Sequence, residues 1–179
     1  MENSFGMGKH GGYRNLKSFQ TATLIYDLTV EFCNLYMTYP TNKSYRTYDQ
    51  MVQAARSGRQ NVAEGSQASA TSRKTEIKLV GVARASLEEL LIDYEDFLRQ
   101  RGLELWDKDD PRAKNVRALA YRTDKTYKTY RSYLNKPEAA ANCIICLIHQ
   151  ANFLLDKQLQ ALEKSFISQG GYSEELLRR

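Results

Sequence analysis

Cys143, Cys146 and His149 follow one another at intervals of three, and they are the residue types that hold zinc. A closed zinc site takes four ligands, and the remaining candidates are Cys33 and the distant His10. Side chains three apart also drift around a helix axis, so core packing is the preferred reading of this trio. Glu104, Asp107, Asp109 and Asp110 crowd around Trp106, a density of carboxylates that suits a divalent cation. Acids at a helix start also favour its dipole, and Pro111 has the form of a first helical residue with Asp110 as its cap. The cluster is therefore read as a helix start. Glu64 and Glu76 are a carboxylate pair of the kind a metal-dependent nuclease uses, but their spacing gives no reason for them to converge. The sequence has no Gly-rich phosphate loop and no nucleophile elbow, and neither of its 2 histidines has a sequence partner for acid–base work. The reading is a protein that is not an enzyme and needs no cofactor or metal.

The remaining group is basic. Residues 112–136 hold eight Lys or Arg and one acid, Asp124, a net +7, whereas residues 75–110 hold five basic and ten acidic residues, a net −5. On a helix, Val116, Leu119, Thr123, Tyr127, Tyr130 and Leu134 form one narrow apolar stripe. Lys114, Arg117, Lys125, Lys128 and Lys136 lie on the opposite half with Tyr121 among them. Cations spaced along a face release condensed counterions from a phosphate backbone, and interleaved aromatic rings stack on exposed bases. Lys114, Arg117, Arg122, Lys125, Lys128 and Arg131 are the candidate carriers of such binding, with Arg56 and Arg73 as a second patch. A solvated helix face, and a face that docks on the acidic helix of a neighbouring subunit, remain open beside it.

Helical periodicity supplies the frame for these residues. The spacing predicts an all-α fold: an antiparallel up-down four-helix bundle of helices near 15–39, 44–65, 73–101 and 138–168, with an additional basic helix near 111–135 between the third and fourth. Asn15 is expected to cap the first helix, whose stripe is Leu16, Phe19, Thr23, Tyr26, Val30, Cys33, Tyr36 and Met37, widened by Leu28, Phe32 and Leu35; Pro40 ends it before a short loop. Tyr48, Met51, Val52, Ala55, Gly58 and Val62 mark the second, which Gly65 is expected to stop. Arg59 falls close to that stripe, where it either lays its aliphatic stem over the core or pairs with Glu76. Ser72 can cap the third helix, with Ile77, Val80, Ala83, Leu87, Leu90, Leu91, Tyr94 and Leu98 on its apolar face. In the last, Ala141, Ile145, Ile148, Asn152, Leu155, Leu159, Leu162 and Phe166 repeat at alternating four and three, a coiled-coil-like seam in which Asn152 either fixes the register of a helix pair or sits at the seam's edge. The apolar run from Cys143 to Ile148 is wide for one seam, which argues for a second subunit.

Several of these positions carry a resemblance. Tyr13-Arg14-Asn15-Leu16-Lys17-Ser18-Phe19, Tyr39-Pro40, Gln50-Met51, Ala54-Ala55, Ser57, the block Asn61-Val62-Ala63-Glu64-Gly65, and Ile77 through Val82-Ala83-Arg84-Ala85-Ser86-Leu87-Glu88-Glu89-Leu90 resemble the bacterial four-helix-bundle family that includes proteins encoded in intervening sequences of large-subunit ribosomal RNA. The accessory variability determinant of diversity-generating retroelements is a more distant relative. Val52-Gln53 stands where relatives carry two arginines, and Gly58-Arg59 replaces an apolar-Pro or similar pair. The resemblance implies a structural role for Asn61, Ala63, Glu64 and Gly65, a ring-like homo-oligomer with a pentamer favoured, and a non-enzymatic role in binding RNA or DNA through basic surface. The alternative is a scaffold subunit whose basic helix meets an acidic protein surface.

The chain is 179 residues long with a formal net charge of +5, which allows one domain over residues 13–169 with a sizeable core. Residues 1–12 are Gly-rich and expected to be disordered, and residues 170–179 form a Gly-Gly-aromatic suffix like that of one family branch. An unbroken apolar run of 18 residues is missing and the N-terminus lacks an apolar signal core, so no membrane partner and a cytoplasmic location are expected. The 3 cysteines are an odd number without a secretory context, expected to stay reduced.

Overall fold

The computed structural model describes residues 12–38, 45–122 and 126–169, and these are helices, turns and connections without a strand. The expectations placed on residues 1–11, on the stop at Pro40 and the loop after it, on Lys125 and on the suffix from Gly170 lie outside the described residues. The helices are α1 (Lys17–Tyr36), α2 (Arg46–Ala68), α3 (Arg73–Gln100), α4 (Pro111–Leu119), α5 (Tyr127–Arg131) and α6 (Pro137–Gln169). Short 3-10 turns precede α1 at Tyr13–Asn15 and α6 at Ser132–Asn135.

α1 packs against α2 and α6, and α3 packs against the same two helices. Partner numbers run in opposite senses along each pair. Tyr48 bonds Asn34 while Arg59 reaches Tyr26. Ser57 bonds Ser86, while Gly65 lies against Val80. Arg84 meets Asp156, while Arg73 meets Ser165. Across the middle, the buried Tyr94 hydroxyl donates to Thr29 Oγ1 at 3.0 Å, and Phe32 packs against Tyr94 and Phe97 at ring separations of 4.9 and 4.8 Å.

Two helix starts match their expected chemistry. Ser72 Oγ accepts from the Thr75 backbone N–H at 3.2 Å, and Asp110 Oδ1 accepts from Arg112 N–H at 2.8 Å with Pro111 in the first turn. Elsewhere the structure corrects the sequence reading. α1 starts at Lys17 with no side-chain cap from Asn15, which belongs to the preceding 3-10 turn. The buried face of α1 is Ser18, Thr21, Ala22, Ile25, Leu28, Thr29, Phe32 and Cys33, rotated about one residue from the expected stripe. Hydroxyls make that rotation tolerable: Thr21 bonds the Lys17 carbonyl, Thr29 accepts from Tyr94 and Ser18 donates to Gln158.

Gly65 does not stop α2, which continues to Ala68. Its function is closeness, since an added Cβ would lie 3.3 Å from Val80 Cγ2 and 3.5 Å from the Glu76 carbonyl oxygen. The expected basic helix over 111–135 is interrupted. α4 ends at Leu119 with Ala120 as its C-cap, and a new start forms at Thr126, whose side chain and that of Thr129 cap each other's backbone. Residues 140–148 of α6 are all buried, and α4 and the 3-10 turn before α6 pack on this helix. The wide apolar run is thus covered within the chain and supplies no reason for a second subunit. By length and composition α6 could cross a bilayer, but its most apolar window is 67% buried inside the protein, as in a core helix.

Candidate nucleic-acid interface

The connection from α3 to α4 is built around Arg112. Its guanidinium reaches Asp110 at 2.7 Å, Glu104 at 2.8 Å and Glu138 at 3.4 Å, and lies 4.8 Å from the Trp106 ring centre. These hydrogen bonds hold the Asp110 carboxyl below the usual carboxylate range and raise the guanidinium in turn. Beneath them the buried Asn142 accepts the Trp106 backbone N–H at 2.8 Å and donates to the carbonyls of Glu104 at 2.8 Å and Glu138 at 2.9 Å. Arg112 thus ties Glu104, Asp110 and Glu138 together, and no group of metal-ligating side chains converges among the described residues. Cys143 and Cys146 are buried, and burial raises both thiols, while His149 is exposed.

The basic residues are spread along α4, α5 and their connection. Lys114 is exposed and 3.5 Å from Asp109, and Arg131 is exposed and 3.6 Å from Glu31. Such water-exposed pairs are weak enough for a phosphate to displace. Arg122 and Lys128 are exposed. Arg117 is half-buried and donates to the Lys108 carbonyl. Arg56 is exposed on α2, whereas Arg73 donates to Ser165 of α6. Because Ser57 faces Ser86, Arg56 and Arg73 are separated by roughly 20 Å along the α2–α3 pair at the helical rise. They do not form one patch.

What the structure does assemble is a groove of about 440 Å³ between the first turns of α1, the end of α4 and the middle of α6. Lys17, Arg117, Tyr121, His149 and Phe153 line it, and no carboxylate does. Tyr121 is 89% exposed and Phe153 61%. A second groove of about 610 Å³ shares Arg117, Cys146 and His149 with the first and continues to Trp106 and Lys108. Arg117 and Tyr121 are legible in the sequence as members of a basic, aromatic face. Lys17, His149 and Phe153 are missed, because only the packing of α1 and α4 against α6 brings them beside that face. An isolated Phe on the outside of a long amphipathic helix is the one signal that could have pointed there.

In the Asn-Val-Ala-Glu-Gly block of the second helix, two members, Asn61 and Gly65, make close contacts. Asn61 Nδ2 donates to the Ser57 carbonyl at 2.9 Å and to Ser57 Oγ at 3.1 Å, and Gly65 sets the α2–α3 approach; Ala63 is half-buried and Glu64 exposed. Arg59 does not pair with Glu76. Its guanidinium lies 4.3 Å from the Tyr26 ring centre, and its Nε donates to Gln60. Glu76 is buried, which raises its carboxyl, and Arg73 opposes that rise. Asn152 donates to Glu88 at 3.3 Å, and Glu88 and Asp156 both bind Arg84, so the seam asparagine joins a polar link between α3 and α6.

The sequence model of the family described as 23S rRNA-intervening sequence protein matches residues 14–103. That span runs from the 3-10 turn before α1 to just past α3. It stops short of the Arg112 cluster and of four of the five groove residues named above. No curated protein and no solved structure matches the chain.

Proposed function

The chain belongs to the family of 23S rRNA-intervening sequence proteins, and on that premise we propose that it is a non-enzymatic, homo-oligomeric protein that binds RNA or DNA through basic surface. One observation carries this reading: the segregation of charge that gives residues 112–136 a net +7, with Lys114, Arg122, Lys128 and Arg131 exposed. In this proposal α1, α2, α3 and α6 form an antiparallel up-down four-helix bundle, a reading supported by their mutual packing and by the opposed senses of their contacts. Assembly is supported by an outer seam on α3, where Val82, Ala85 and Ile92 are exposed at spacings of three and seven. A pentamer is the form favoured by family membership, and light scattering on the purified protein tests it.

The test of nucleic-acid binding is an anisotropy titration of short RNA and duplex DNA at several salt concentrations. Lys114→Gln, Lys128→Gln and Arg131→Gln combined should weaken binding. They should also flatten the slope of log affinity against log salt by about 2 for single strands, at roughly 0.7 for each phosphate no longer neutralised. A wild-type protein that is folded and binds neither nucleic acid at low salt sinks the reading. A second reading, that the basic face docks on an acidic protein surface, is favoured by the cleft of Asp49, Glu89 and Asp93 between α2 and α3. In that case salt would instead break a protein assembly free of nucleic acid.

A further inference from the structure

The groove between α1, α4 and α6 has three properties that together restrict what it accepts. Its walls carry the cations Lys17 and Arg117 and no carboxylate, so an anion is favoured there and a cationic peptide is not. Two aromatic rings stand in water at its edge, Tyr121 at 89% and Phe153 at 61% exposure, with Lys157 Nζ 5.7 Å from the Phe153 ring centre. Rings so exposed contribute little to the packing of the chain itself, yet they present flat faces. Its volume of about 440 Å³ is within the range of sites that hold a small flat group.

We infer that this groove takes one or two unpaired bases of a single-stranded polynucleotide, stacked on Tyr121 and Phe153, with the flanking phosphates on Lys17 and Arg117. This deepens the nucleic-acid reading and rests on it. A base held in a duplex hides its faces from protein rings, whereas an unpaired base offers one to each. Gln150 on the groove wall supplies an amide group for base edges. Past Arg117 and His149 the adjoining groove leads to Lys108 and Trp106 but is also lined by Glu95 and Asp109, so the contact with the strand is confined to the first groove. The basic face of α4 and α5 attracts phosphate in any form, and the groove selects the unpaired form.

The experiment titrates labelled single-stranded RNA, single-stranded DNA of the same sequence and duplex RNA of the same length against the wild-type protein and two variants. Tyr121→Ala with Phe153→Ala should weaken both single strands by roughly ten- to hundredfold. Duplex binding and the salt slope should stay as they were. Lys17→Gln with Arg117→Gln should flatten the single-strand salt slope by about 1.4. A gap between the RNA and DNA arms identifies which strand the groove is suited to. Full single-strand affinity in the aromatic variant, or equal loss on duplex, overturns the groove and leaves the basic-face reading intact. If the wild type binds none of the three, both readings fall together. If the aromatic variant instead changes the mass by light scattering with binding kept, a second copy covers the rings and the inference is overturned. Both rings are exposed, so the variant should fold, and circular dichroism checks that it does.

Discussion

At the residue scale, two glycines of α2 set its approach to α3 and one arginine of α2 sets its contact with α1. An added Cβ at Gly58 would lie 2.7 Å from Leu87 Cδ2 and 2.9 Å from Leu87 Cγ, while at Gly65 the nearest atom would be 3.3 Å away. Leu87 is fully buried and has little room to move. Gly58→Ala should therefore cost about 1 kcal/mol after its gain in helix propensity, and Gly65→Ala should stay within about 1 kcal/mol of neutral; urea denaturation reads both. Arg59→Met should cost about 0.5–1 kcal/mol through the Tyr26 ring. A double-mutant cycle of Arg59→Met with Glu76→Gln should show no coupling, because the two side chains have different partners. Burial raises the Glu76 carboxyl above its unfolded value, so ionisation costs stability above that raised pKa. Glu76→Gln should thus be more stable than wild type at neutral pH, and the gap should close as pH falls through the raised pKa. A gap that widens on acidification contradicts burial as the dominant cause.

At the scale of elements, α3 and α6 were the most legible, since long uninterrupted stripes such as Val80, Ala83, Leu87, Leu90 and Tyr94 fix both type and phase. α1 was legible in type but not in phase, because Ser18, Thr21 and Thr29 look like surface residues until their hydroxyl partners are known. The segment after Pro111 was the least legible. Its apolar spacing continues through Thr123, but Thr126 and Thr129 begin a helix of their own. Of the candidate site, the basic residues could be read from the chain and the groove could not, since Lys17, Tyr121 and Phe153 lie far apart in sequence. The latch at Asn142 was also silent, an asparagine in an apolar run without a visible partner. Asn142→Ala should cost about 2 kcal/mol, because it strands the Trp106 N–H and the Glu104 carbonyl. As the sequence has 1 Trp, its fluorescence should shift at lower denaturant than the helical circular dichroism signal if the latch opens first. Coincident transitions would mean the connection melts with the core.

At the scale of the whole molecule, all 3 cysteines are buried, and burial with the nearby Asp93 charge pushes the Cys33 thiol up to about 12. Thiol-specific reagents at pH 8 should modify the native protein at least about a hundredfold more slowly than the unfolded chain. Rapid labelling of a native thiol would place that cysteine outside the core. The charge asymmetry is also a property of this scale, with a net −5 over residues 75–110 set against a net +7 over residues 112–136. The segment between α3 and α6 begins and ends at one place. The Glu104 backbone N–H donates to Glu138 at 3.2 Å, so the chain leaves α3 and re-enters α6 at nearly the same point. Between those points α4, α5 and the 3-10 turn before α6 fold back onto α6 and α1, with Ala113, Val116, Tyr130 and Leu134 in the shared core and the Tyr36 hydroxyl donating to the Leu134 carbonyl. The segment is therefore a cover fastened at both ends and along its length, and shortening it would open the apolar run of α6 to water.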